Sequence, residues 1–195
     1  IPYAIVIKNN KSLKIKEDEP WNFLLDNSLQ GKIILPNSSR IIFSIANKMK
    51  STNSLTKLLS QDIIFDDLNA IDRLINSEAL IALMPYTEAL KYLKIDSRLS
   101  IIFLNQGVPL IWQFFLFKNI YNQKSFLNWF LELEKKNFNA FKHSGWFLPL
   151  DQIYIESTNQ ISRLRKNPSQ ECWNNSWSLH PLTPSAKIQI ENLWK

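Results

Sequence analysis

GKIILPNSSRIIF, residues 31 to 43, holds the transition on which the fold turns. Ile33 to Leu35 is a short apolar, branched run that suits a buried strand. Pro36 stops it, because proline brings no N–H to a strand ladder. Asn37, Ser38 and Ser39 follow, and their side-chain oxygens are of the kind that caps helix N-termini. Beyond them Ile42, Ile45, Ala46 and Met49 recur at helical spacing. A strand, a polar turn and a helix in that order make one unit of an α/β sheet protein. The turn itself has two readings: an ordinary cap, or a ledge that holds a ligand.

The flanking sequence repeats the alternation. YAIVI (3–7) predicts a buried strand, and Pro20 opens a short helix with Trp21, Phe23, Leu24 and Leu25. Leu55 to Leu59 predicts a further helical turn. Ile64, Leu68, Ile71 and Ile75 share one helical face, with Asp66 and Asp67 suited to that helix's positive N-terminal end. ALIALM (79–84) predicts a strand covered on both faces, ended by Pro85, with a helix from there to Tyr92. LSIIFL (99–104) and PLIWQFFLF (109–117) predict strands separated by a turn at Asn105, Gln106 and Gly107. Residues 125–136 predict a helix faced by Phe126, Phe130 and Leu133. Residues 152–166 read as a polar helix, 167–182 as irregular, and Thr183-Pro184 as the cap of a last helix ending at Trp194.

Composition narrows the function classes. The chain has 195 residues, 45% of them apolar and 21% charged, enough for one substantial core or two small lobes. Three glycines exclude a GxGxxG or Walker phosphate loop. The net charge of +6 is spread as lysines without an arginine cluster, a solvated surface rather than a nucleic-acid stripe. One cysteine excludes an intrachain disulfide, and with two separated histidines it argues against a zinc site. No apolar run reaches the length of a membrane span. The chain begins at Ile1 without a signal-peptide pattern, as a processed or excised piece would.

No catalytic constellation stands out. His143 and His180 lack a motif that would make either a base, Cys172 lacks a nucleophile signature, and Asp66-Asp67 read as solvated capping carboxylates. No cofactor is called for.

Three stretches, PWNFLLDNSLQGKIILPNSSRIIF (20–43), INSEALIALMPYTEAL (75–90) and LNQGVPLIWQFFLF (104–117), occur in order, followed by FLNWFLELE and SGWFLPLD. Together they resemble the second lobe of family 1 extracellular solute-binding proteins, in particular the spermidine/putrescine-binding proteins of ABC transporters. The resemblance implies a type II periplasmic-binding-protein lobe, a mixed sheet flanked by helices, with the first lobe absent from the chain. Residues 1–151 would be the second lobe with its crossing strand, and 152–195 a helical tail returning toward the absent lobe. The implied partners are a small polar, polyamine-like solute and an ABC permease, in the periplasm or at the cell surface. The implied ligand contacts are Asn37, Ser38, Ser39 and Arg40 after the first strand–turn, Tyr86 after the second, and Trp112 with Phe114 on the last. The sequence departs from the family where its carboxylates would stand: Ser38, Ile41 and Phe114 occupy those places. An effector-binding domain of a regulator and an enzyme on the same fold are the alternatives.

Overall fold

The computed structural model describes residues 1–9, 13–112 and 167–179, with isolated positions at 125, 128, 144, 145, 183–185, 187, 188 and 192. The strands are β1 (Tyr3–Lys8), β2 (Ile33–Leu35), β3 (Ile64–Phe65), β4 (Ile81–Pro85), β5 (Leu99–Ile102), β6 (Pro109–Leu110) and β7 (Trp177–Ser178). The α-helices are α1 (Ser39–Lys48), α2 (Ser54–Leu59), α3 (Ala70–Asn76), α4 (Tyr86–Leu93) and α5 (Gln170–Asn175), and Trp21–Leu25 forms a 3-10 turn.

Five strands form one sheet in the order β3-β2-β4-β1-β5. β2 runs parallel to β3 and β4, whereas β1 lies antiparallel between β4 and β5. Ile33, Ile34 and Leu35 are fully buried, as are Ala4 and Val6 in β1 and Ala82 in β4, so side chains on both faces of the sheet are covered. α3 packs on β2 and β4, and α4 on β1, β4 and β5, while α1 and α2 pack on each other and on the Trp21–Leu25 turn. The Lys8 ammonium donates to the carbonyls of Ile75 and Ser77 at 3.0 and 2.9 Å, satisfying the C-terminal end of α3.

Two expectations need correction. Ile64 belongs to a strand, not to the following helix, which begins only at Ala70, and Leu68 is 89% exposed. The apparent helical face joined a strand residue to a loop residue because both happened to fall at helical spacing. Residues 167–179, expected to be irregular, fold into α5 and β7 and pack on this lobe. Ser169 caps α5 by accepting from Cys172 N–H at 3.0 Å, and Cys172 is fully buried. β7 pairs in parallel with β6, and the Trp177 ring meets the Trp21 ring edge-on at 6.2 Å, with Lys48 Nζ 4.8 Å from the Trp177 ring centre. Phe126, Phe130 and the rest of the predicted 125–136 face, like 113–117 and 152–166, lie outside the described residues; Ser125 and Asn128 themselves are helical.

Gly107 is where this packing is tightest. Its φ is +85°, its carbonyl accepts from Trp21 Nε1 at 3.1 Å, and a Cβ there would fall on the backbone of Asn175 and Ser176. Gly31 also has a positive φ, but a Cβ there would meet nothing. Gly107→Ala should therefore cost at least about 2 kcal/mol in urea unfolding and loosen 169–178. Gly31→Ala should cost about 1 kcal/mol, the backbone preference alone. Equal losses would show that 169–178 does not depend on contact at Gly107.

Candidate functional site

The parallel strands β2, β3 and β4 end at one edge of the sheet, and antiparallel β1 begins there, since Tyr3 is in register with Pro85. In open α/β sheets this carboxyl edge carries the ligand site, because loops and helix N-termini converge on it.

At the end of β2, Ser38 N–H donates to Pro36 O at 2.7 Å, a tight turn that leaves the strand line. Ser38 is the residue before the first helical position of α1, with extended backbone (φ −134°), and its carbonyl accepts from Ile42 N–H. Its side chain makes no capping hydrogen bond. Ser38 therefore caps by backbone geometry while its hydroxyl is not spent on the helix. Asn37 is exposed, and Ser38, Ser39 and Arg40 are half-buried in the turn and the first turn of α1.

At the end of β3 the two aspartates differ. Asp66 accepts from the backbone N–H of Leu68 and Asn69 and from the Arg73 guanidinium, so it shapes the entry to α3. Asp67 instead reaches across to β2 and accepts Asn37 N–H at 3.0 Å, with its side chain exposed. Burial, and after it the charge of Asp67, push the Tyr3 hydroxyl up to about 12. Asp67 is the edge residue that sequence reasoning passed over, as a capping carboxylate. The signal was Ile64-Phe65 as a strand: with that strand recognised, Asp67 becomes a strand-end residue beside Asn37.

Tyr86 lies elsewhere. Its backbone N–H donates to Pro2 O at 2.9 Å, but its ring is fully buried and meets Phe103 edge-on at 5.1 Å. As the first residue of α4 it turns its ring inward to the core. Trp112, two residues past β6, is 47% exposed and does not join the core. Phe114, His143 and His180 lie outside the described residues.

Three segments of chain meet beside this edge. The Ile1 nitrogen donates to Ile111 O and Ile111 N–H returns to Ile1 O, both at 2.8 Å, while Pro2 bridges antiparallel to Leu110. On the other side of β6 runs β7. The start of β1, β6 and β7 thus lie side by side.

Two solved structures share this fold. The spermidine/putrescine ABC transporter substrate-binding protein PotD from Streptococcus pneumoniae is 18% identical, with a TM-score of 0.69, a match covering 100% of this chain and 67% of that one. A spermidine/putrescine ABC transporter protein from Listeria monocytogenes is 19% identical, with a TM-score of 0.63, covering 99% and 65%. The fold is that of a periplasmic binding protein. The chain spans about two thirds of the length of these two proteins. No protein-family model and no curated protein matches the sequence.

Asp66 gives the site a pH dependence. Its carboxyl is held below the usual carboxylate range, first by Asn69 N–H, then by Leu68 N–H and Arg73, against a partial opposition from burial. A depressed folded value means the stabilisation is complete above about pH 4 and is lost as pH falls through the folded value. The urea midpoint should drop between pH 6 and pH 3, and Asp66→Asn should shrink that drop. It should not abolish it, because Asp26 and Asp96 are lowered too. An unchanged drop in the variant would remove Asp66 from the account.

Proposed function

We propose that the chain is part of the solute-binding component of an ABC importer, supplying one lobe and the crossing segments of a two-lobed trap. The trap captures a small polar solute, closes about its crossing strands and delivers the solute to the membrane permease outside the cytoplasm. The observation that carries this reading is the convergence of three segments, Ile1-Pro2, β6 and β7, beside the edge where Asn37, Ser38 and Asp67 collect. A lobe entered and left at its ligand edge is built to work against a second body across that edge. The full-length match to two proteins described as spermidine/putrescine transporter components supports it. Residues 1–151 then act as the second lobe, and 152–195 as a tail whose described part is clamped to this lobe before leading on.

In this reading the turn after β2 offers hydroxyl and amide groups to the solute, and the free N–H groups at the N-terminus of α1 favour a carboxylate or other acceptor on it. Trp112 supplies an aromatic wall, which attracts an ammonium through its ring face. Arg40 borders the same turn. Closure follows only from contacts that are better in the closed state than in the open one. None of the helices among the described residues is long and apolar enough to cross a membrane, in keeping with delivery to a separate permease.

An enzyme on this fold would need a reactive group at the edge. Cys172 is no candidate: burial pushes its thiol up to about 12, against a smaller lowering by the Ser176 hydroxyl, and it lies in α5 against the core. Iodoacetamide should leave Cys172 unmodified in the folded protein and alkylate it in urea; rapid native alkylation would reopen the enzymatic reading.

Hydrogen exchange across a panel of polyamines, amino acids and iron chelates tests the binding role. A true solute should slow exchange at 37–40 and at 110–112 together. Trp112→Ala should weaken that solute about fivefold with the melting temperature unchanged, since the side chain is half exposed. No protection with any member of the panel would overturn the proposal.

A further inference from the structure

We propose that Tyr3 is a solute contact of this edge, its hydroxyl bonding a hydroxyl or amine group of the solute. The inference rests on the solute-binding reading and adds a specificity-determining residue to it.

The strand register places the residue. Tyr3 opens β1 opposite Pro85, the last residue of β4, so it stands at the edge where β2, β3 and β4 finish. Side chains alternate between the two faces of a strand, and directly opposed residues share a face. Tyr3 therefore shares its face with Ile7, Ile7 with Ile81, and Ile81 with Ile33. Leu35, two residues beyond Ile33, continues that face and pairs with Phe65. The turn after β2 grows directly from Leu35. Between β1 and β2 lies only β4, which sets them two strand spacings apart, about 10 Å. A small solute on the turn spans that distance.

The state of the side chain points the same way. Tyr3 is only 6% exposed, and β1 is paired on both sides, so the ring is fixed. Yet among the described residues the hydroxyl makes no hydrogen bond. Nor is its oxygen sealed from water. Among the described residues, atoms both unbonded and sealed include Gln61 Oε1 and Trp177 Nε1, but not the Tyr3 oxygen. A ring locked in the core with an unspent hydroxyl at its tip is already ordered, so little of that cost remains for binding.

Burial, and after it the charge of Asp67, keep the phenol protonated up to about 12. It is therefore neutral at physiological pH and can both donate and accept. The sign of the Asp67 contribution selects the partner. A negative charge that disfavours the phenolate also disfavours a solute carboxylate at the same oxygen, and it favours a group that carries hydrogens. A hydroxyl or an amine meets that requirement.

Calorimetric titration of the full chain, wild type beside Tyr3→Phe, tests the assignment. The probes are putrescine, ethanolamine, glycerol and succinate, together with any panel solute that slows exchange at 37–40. Tyr3→Phe keeps the ring and removes only the hydroxyl. The tightest hydroxyl- or amine-bearing binder should lose at least about fivefold in affinity. Succinate, which has only acceptors, should bind no more tightly to wild type than to the variant. The melting temperature of the solute-free variant should not fall, because no hydrogen bond of the fold is removed. An affinity indifferent to the substitution, a succinate affinity that drops with it, or a lowered melting temperature overturns this inference and leaves the solute-binding reading standing. Silence from every probe and every panel solute overturns both.

Discussion

β1 is hydrogen-bonded along both sides, to β4 in one direction and β5 in the other, and it is the antiparallel member of the sheet. That single constraint fixes the rest. With β1 reversed, the chain must enter the lobe at the edge where β2, β3 and β4 finish. The Pro2 carbonyl then stands ready to receive Tyr86 N–H and start α4, and Pro2 itself bridges to Leu110. Entry strand, exit strand and helix start are welded at one point. A parallel β1 would have entered at the opposite edge and separated the crossing point from the loops that collect polar groups.

The second weld lies behind the first. Trp21 is fully buried, donates through its indole to Gly107 O, and takes Gln106 Oε1 on its backbone N–H. Asn105 O accepts from Asn175, Val108 N–H donates to Ser176 Oγ, and Trp177 N–H donates to Val108 O. The turn at 105–108 is thus read on one side by Trp21 and on the other by the returning tail.

How far the sequence could be read follows from where the signals are local. β1, β2, β4 and α1 carry continuous or periodic apolar patterns, and their burial matches those patterns residue by residue. The turn at Gly107 was legible because its φ of +85° demands glycine. The α3 boundary was not, because two-residue β3 is too short to show alternation, and its isoleucine fell by chance on a helical face. Residues 167–179 were opaque for another reason: their order comes from partners 64 to 156 positions away, such as Asn105, Val108 and Trp21, and no local pattern encodes that. The site followed the same division. Asn37 and Ser38 were visible beside a clear strand end. That the Tyr86 ring is buried was not legible, because sequence position after a strand does not say which way a side chain turns. Asp67 was hidden by the misread helix.

What the site offers is decided by geometry more than by residue count. Asp66 and Asp67 are neighbours in sequence and chemically identical, yet one closes a loop on itself and the other joins two strands. The first lowers the free energy of the fold; the second keeps acceptor capacity pointed at open space. The same holds for the tryptophans: Trp21 and Trp177 form the root of the crossing, while Trp112, a short way along the same chain path, stays half exposed. Trp112 exposes apolar area to water, so covering it is favourable by itself. The exposed carboxylate of Asp67 keeps its hydration, so covering it is favourable only against a compensating positive charge or hydrogen-bond donor.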